Sequence, residues 1–116
     1  MMIAALQAAG FPGVEPEGDV IFARLSASGA EFRAEPAGDL WKLALHWPVR
    51  LDAAALAVWN ADHPEAMLDI FKGETRLQMR LPATPGALSR WNAAAEAMIA
   101  VCIAFRRGQR ARGEGM

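Results

Sequence analysis

The most constraining feature of the sequence is an apolar stripe over residues 87–105, near the end of the chain. Its members recur at alternating spacings of three and four residues, as on one face of an α-helix: Leu88, Trp91, Ala95, Met98, Cys102 and Phe105. Ile99 and Ile103 widen the stripe, whereas Arg90 and Glu96 mostly lie off it. Because such a broad apolar face must be covered, the pattern predicts a long helix packed on a sheet.

Three segments in the first half of the chain predict β-strands. Residues 20–25, residues 30–34 and Leu40–Trp47 follow one another with short turns between them, which is typical of an antiparallel meander. In the third segment Lys42 and His46 lie on one face, and four apolar residues form the other: Trp41, Leu43, Leu45 and Trp47.

A hairpin is predicted in the second half, with strands at Met67–Phe71 and residues 75–81 around a turn at residues 72–74. The return strand alternates strictly, so one of its faces is expected in the core and the other in water. By contrast, the acidic stretch at residues 15–19 contains proline and glycine and is predicted to be a solvated loop.

Two shorter helices are predicted from local signals, one at residues 2–9 and one at residues 53–59. Asp52 is expected to cap the second helix, where Leu51 and Leu56 have the spacing of a hydrophobic staple.

The ends of the long helix have signals of their own. Thr84 is its predicted N-cap, with Pro85 in the first helical position, and Gly108 is its predicted end.

The element order therefore predicts an α+β domain: helix, three-strand antiparallel meander, helix, two-strand hairpin and long C-terminal helix. The helices are expected to pack on one face of the antiparallel sheet. Residues 1–108 are predicted to form a single domain and residues 109–116 a flexible basic C-terminal tail. Four arginines lie near this end: Arg106, Arg107, Arg110 and Arg112. Their position is best explained by attraction to the negative end of the helix dipole, and nucleic-acid binding is not expected.

Composition limits the classes of function. The chain has 116 residues and a net charge of −1, which gives no general attraction to nucleic acid. Its one cysteine, Cys102, cannot form an internal disulfide and falls on the apolar stripe, which indicates a reduced, cytoplasmic protein. Neither a secretory signal nor a membrane-spanning segment is expected.

No constellation in the sequence predicts catalysis, a cofactor or a metal site. His46 and His63 have no ligand cluster around them and are expected to be exposed. Cys102 lies on the stripe, where a nucleophile would lack access. Asp62, Glu65 and Asp69 are spaced as paired carboxylates sometimes are, but Asp69 is better explained as an inward-pointing charge that protects an edge strand.

The run Trp59-Asn60-Ala61-Asp62-His63, followed by a hairpin and a long closing helix, resembles the YbjN-type family and the type III secretion chaperone-like fold. The resemblance covers residues 3–106 and rests mainly on element order, with Trp59-Asn60 as its sharpest match. It implies a small cytoplasmic, non-enzymatic and commonly dimeric domain that binds protein segments as a chaperone or acts as a regulator. The chain is nearly neutral where secretion chaperones are acidic, which places it nearer the YbjN-like group.

The apolar surplus of the strands predicts an interface, because three helices cover only one sheet face. The predicted partner-binding residues are Trp41, Leu43, Leu45, Trp47, Leu68 and Ile70. The expected function is non-catalytic protein binding by a homodimer, with a protein client as a further partner. The alternative is a small-molecule-binding or minor catalytic domain with a pocket between the sheet and the last helix.

Overall fold

The computed structural model describes residues 1–112 and confirms the α+β prediction. Its helices and strands follow in the order α1 (Met2–Ala8), β1 (Glu15–Glu17), β2 (Val20–Arg24), β3 (Glu31–Ala37), β4 (Leu40–Trp47), α2 (Ala53–Asp62), β5 (Met67–Phe71), β6 (Glu74–Leu81) and α3 (Pro85–Ala111).

The strands form one antiparallel sheet in the order β1-β2-β3-β4-β6-β5. All five predicted strands are present, but the solvated loop predicted at residues 15–19 is partly wrong, because β1 lies there. Only three residues long, β1 has no apolar face to signal it and owes its conformation to pairing with β2. Gly18, with a φ of 64°, makes the tight turn between the two strands.

The helices cover the face of the sheet that carries the alternating apolar side chains. Leu43 lies opposite Met79, and Leu45 lies opposite Leu77, and all four are buried. The predicted stripe of α3 packs over this face and buries seven residues there: Ala87, Leu88, Trp91, Ala95, Met98, Ile99 and Cys102. The long amphipathic helix is therefore the main cover of the core, as its period predicts.

Both predicted N-caps are present. The Asp52 carboxylate accepts the Ala55 N–H at 2.8 Å, and the Thr84 hydroxyl accepts the Ala87 N–H at 3.3 Å. The predicted end at Gly108 is wrong, since α3 continues to Ala111. A helical glycine costs only about 1 kcal/mol relative to alanine, and the arginines around it are good helix formers. Part of the predicted tail is thus helical, and residues 113–116 lie outside the described residues.

By length and composition alone, α3 is long and apolar enough to cross a membrane, whereas no membrane-spanning segment was predicted from the sequence. The most apolar 18-residue window has a mean hydropathy of 1.2, and a third of it is buried in the domain. The core helix of a globular domain meets the same criterion, so this is weak evidence for a membrane span.

Thr75 connects the hairpin to the segment that leads into α2. It is the one buried polar residue in the part of the chain that the structure describes. Its hydroxyl donates to the Val49 carbonyl at 2.6 Å and accepts the Leu51 N–H at 3.1 Å. Segment 48–52 thereby gains polar partners inside the core, where unpaired backbone groups are costly.

Candidate functional site: an open strand edge

The predicted partner-binding residues lie on the sheet face that the helices cover, and this overturns much of the prediction. Leu43 and Leu45 are 0% exposed and Leu68 is 3% exposed, so a partner has no access to them. The other three are half-buried on the same face: Trp41, Trp47 and Ile70. The sequence correctly identified the apolar face, but the helices need that same face for the core.

The uncovered sheet face is mixed in character and is crossed by ion pairs. Glu35 lies within 3.5 Å of Arg33 and 3.3 Å of Lys42. Asp69 forms a two-point pair with Arg76, in which Nε of Arg76 donates to the carboxylate at 2.9 Å. The interpretation of Asp69 as an inward-pointing charge is therefore wrong, although its strand does lie at a sheet edge.

An aromatic cluster lies beside that ion pair. The Arg76 guanidinium lies 4.4 Å from the centre of the Phe71 ring, and the His46 ring lies 5.7 Å from it, edge to face. His46 is exposed, as predicted, but partial burial and then the charge of Arg76 lower its pKa below the usual 6.5.

The outer edge of β5 is capped by α2. The Asn60 side chain accepts the Leu68 N–H at 2.8 Å and donates to the Leu68 carbonyl at 3.0 Å, as a neighbouring strand would. The Trp59 indole N–H donates to the Ala66 carbonyl at 2.6 Å. In this structure the Trp59-Asn60 pair is thus a device that protects an edge strand.

The other side of the sheet is also protected. The terminal strand β1 is short, acidic and contains Pro16, all features that discourage further pairing. Where β2 extends beyond β1, the Arg24 N–H donates to the Pro12 carbonyl at 2.9 Å.

In the described chain, residues 79–81 of β6 have no strand beside them on the side of β5. The pairing of β5 with β6 ends at Met67 opposite Gln78, and the chain before Met67 turns away. Hydrogen-bonding direction alternates along an antiparallel strand. The Leu68 N–H and C=O bond to Asn60 and therefore point away from β6. By alternation, the neighbouring pair of Met67 and Gln78 is hydrogen-bonded, so the backbone groups of Gln78 point toward β5. Two residues further along β6, the Arg80 N–H and C=O point in the same direction, where β5 has ended.

A cavity of about 490 Å³ lies along this open stretch, and we call it the edge groove. Its lining combines apolar and basic side chains with one carboxylate and one amide: Lys42, Glu65, Met67, Gln78, Met79, Arg80, Leu81 and Arg90. A second cavity of about 420 Å³, here called the helix cavity, lies between the loop at residues 62–66 and α3. Glu65, Met79 and Arg90 line both, so the two are adjacent.

The charges of the edge groove are unbalanced. Among residues 1–112, Arg80 and Arg90 have no ion-pair partner, while Lys42 pairs with Glu35. Glu65 is the one acidic residue in the lining. The groove therefore presents more positive than negative charge beside an unpaired strand edge.

The other candidate residues are not brought together. No group of three or more His, Cys, Asp or Glu residues in the described chain is placed to hold a metal ion. Cys102 is buried, which raises the pKa of its thiol to about 11. His63 is half-buried rather than exposed, because its ring stacks on Trp59 at 3.7 Å.

Sequence reasoning missed the open edge, although a signal for it was present. The predicted return strand of the hairpin, residues 75–81, was longer than its partner Met67–Phe71, so part of it had no predicted neighbour on that side.

Comparison of the chain with family models, with curated proteins and with solved structures finds no match.

Proposed function

We propose that this chain is a non-catalytic protein-binding domain that takes up an extended segment of a partner by strand addition at residues 79–81. The observation that carries the proposal is the outward-pointing N–H and C=O of Arg80 at the edge groove. Strand addition satisfies such groups with the partner's backbone, and the neighbouring side chains then supply specificity. A chaperone-like or regulatory role in the cytoplasm, as the YbjN-like resemblance implies, is compatible with this mode of binding.

The partner segment would occupy the space into which β5 would continue if it matched β6 in length. Next to the segment, the exposed Met67 offers apolar contact, and the helix cavity is adjacent for a larger side chain. The open stretch is only three residues long, so backbone hydrogen bonds alone give a short interface. Affinity must then depend on side chains that enter the groove and the helix cavity.

The experiment compares partner recovery by tagged native chain and by two variants of one residue. Arg80→Pro removes the outward N–H, whereas Met79 and Leu81 keep their pairing with β4. Arg80→Gln, the matched control, loses the charge but keeps the N–H. We expect a stoichiometric companion with the native chain, less with Arg80→Gln, and none with Arg80→Pro.

Equal recovery by a folded Arg80→Pro chain would refute strand addition at this edge, as would failure of any companion to bind. Circular dichroism and thermal unfolding establish whether the proline variant folds. If it does not, hydrogen exchange of the native chain decides, because the Arg80 amide must become protected when the companion is bound.

The predicted homodimer remains a separate proposal, and it needs another surface because the apolar face is covered. The uncovered sheet face offers Phe71 and Met67, both exposed, for self-association. Under this proposal, sedimentation of the native chain gives a dimer and Phe71→Asp gives a monomer. A native chain that stays monomeric at about 100 µM would exclude the dimer.

One observation favours the alternative function of small-molecule binding. The helix cavity lies between Met79 of the sheet and α3, and its volume of about 420 Å³ falls in the usual range for small-ligand sites. Ala94 and Ala97 give it an apolar wall. Its polar lining consists of Asp62, His63, Glu65 and Arg90. Native mass spectrometry of the purified protein would support this function if a small molecule is retained by the native chain and lost in Ala94→Trp.

A further inference from the structure

We infer that the partner segment at the edge groove is acidic, with consecutive carboxylates that reach Arg80 and Arg90. The inference rests on the proposed strand addition and names the chemistry of the partner. It is carried by the charges that stand opposite one another across the sheet.

Arg80 stands at the open end of an incomplete row of charges. Glu35 lies opposite Lys42 across β3 and β4, and Lys42 lies opposite Arg80 across β4 and β6. Two positive residues are thus neighbours, although like charges directly opposite each other destabilise a sheet. Glu35 compensates Lys42 at 3.3 Å, but among the described residues Arg80 forms no ion pair on its open side, although Glu65 also lines the edge groove.

The same sheet shows how such a row is completed. Four residues earlier in β6, Arg76 lies between His46 on one side and Asp69 of β5 on the other. The Asp69 carboxylate binds the Arg76 guanidinium at two points. An added strand occupies beside Arg80 the place that β5 occupies beside Arg76, so an acidic residue opposite Arg80 would repeat this pairing.

Arg90 extends the same preference to the next residue of the segment. It comes from α3 on the helix-covered side, whereas Arg80 shares the uncovered face with Lys42. Consecutive side chains of a strand point to opposite faces. Two adjacent carboxylates therefore reach one arginine each, and the single Glu65 in the lining does not neutralise both.

A second copy of this chain does not suit the edge. Symmetric antiparallel pairing of two copies centred on residue 80 places Arg80 directly opposite Arg80 and brings the two Arg90 side chains to the same interface. This repulsion opposes self-pairing and favours a partner of opposite charge.

The experiment measures fluorescence anisotropy with short labelled peptides that differ only in a central pair of residues. The acidic probe carries Glu-Glu between valines, and its matched control carries Gln-Gln. We expect Arg80→Gln and Arg90→Gln each to weaken binding of the acidic peptide about three- to tenfold, the range of exposed to partly desolvated ion pairs. Arg107→Gln, outside the groove, should leave binding unchanged, and added salt should weaken binding.

The outcomes separate this inference from the proposed function. Equal binding of the Glu-Glu and Gln-Gln peptides, lost with Arg80→Pro, would overturn the acidic preference and leave strand addition standing. If a backbone N-methylated Glu-Glu peptide binds as tightly as the unmethylated one, strand addition is overturned and only charge attraction is left. Absence of binding by either peptide would overturn the inference, as would self-association that Arg80→Pro abolishes and the acidic peptide does not displace.

Discussion

Replacement of Thr75 by valine tests how the core holds the segment between β4 and α2. Valine has nearly the shape of threonine, so Thr75→Val removes the hydroxyl without leaving a large cavity. The variant loses the hydroxyl's hydrogen bond to the Val49 carbonyl, the one from the Leu51 N–H and its contact with the Cys102 thiol. The variant therefore measures what this buried hydroxyl contributes to stability.

The two backbone losses are unequal. The Val49 carbonyl still accepts the Thr75 backbone N–H at 3.2 Å, so it stays paired. The Leu51 N–H loses the partner that the structure gives it, in a residue that is almost fully buried. A buried unpaired amide costs about 1–3 kcal/mol, and the added methyl group returns part of this, so we expect a net loss of about 2 kcal/mol.

Thermal unfolding and hydrogen exchange together check this expectation. For a domain of roughly 100 residues, 2 kcal/mol lowers Tm by about 8 °C, and the Leu51 amide should exchange faster in Thr75→Val. Thr75→Ser is the matched control, because it keeps the hydroxyl and should keep the Leu51 amide protected. Stability within about 0.5 kcal/mol of the native chain, with Leu51 still protected in Thr75→Val, would refute the reasoning.

Three further predictions follow from single contacts. Asn60→Ala removes both bonds to the Leu68 backbone and should cost about 1–2 kcal/mol; unchanged exchange of the Leu68 amide would contradict the edge cap. The pKa of His46 is lowered in the folded protein, so the unfolded chain binds more protons just below pH 6.5. The free energy of unfolding therefore decreases as the pH is lowered through this range. In His46→Gln, the loss of unfolding free energy between pH 7 and pH 5 should be smaller than in the native chain. An equal loss in both proteins would contradict this prediction. Burial raises the pKa of Cys102 to about 11, so iodoacetamide at pH 8 should modify it only on unfolding, and rapid modification of native protein would refute this.

Periodicity was sufficient for the parts of the fold that depend on local pattern. The stripe from Leu88 to Phe105 predicted α3 and its buried face, and alternation predicted β4 and β6. Capping chemistry also predicted Asp52 and Thr84 correctly. These features follow from side chains a few residues apart, whose relative directions the helix and strand geometries fix.

What could not be predicted depends on residues far apart in sequence. Strand β1 exists because β2 offers it a partner, and no property of its own three residues requires it. The partner-binding prediction failed for Leu43, Leu45 and Leu68 because it assigned their apolar face to a partner, whereas the protein's own helices bury that face. An apolar face on a small domain is first needed for its own core, and only the remaining surface is available for binding.

The edges of the sheet are therefore more informative about binding than its faces. The structure protects β5 with an asparagine, β2 with a proline carbonyl and β1 with charge and shortness. Each device uses side chains or turns that serve no other evident need in the core. At Arg80 no side-chain amide or turn carbonyl of residues 1–112 pairs with the backbone, and two arginines without an ion pair lie beside the exposed backbone groups. Because an unprotected edge invites unwanted pairing with any strand, positive charge there restricts pairing to segments that bring carboxylates, so that the residues guarding the edge also select its partner.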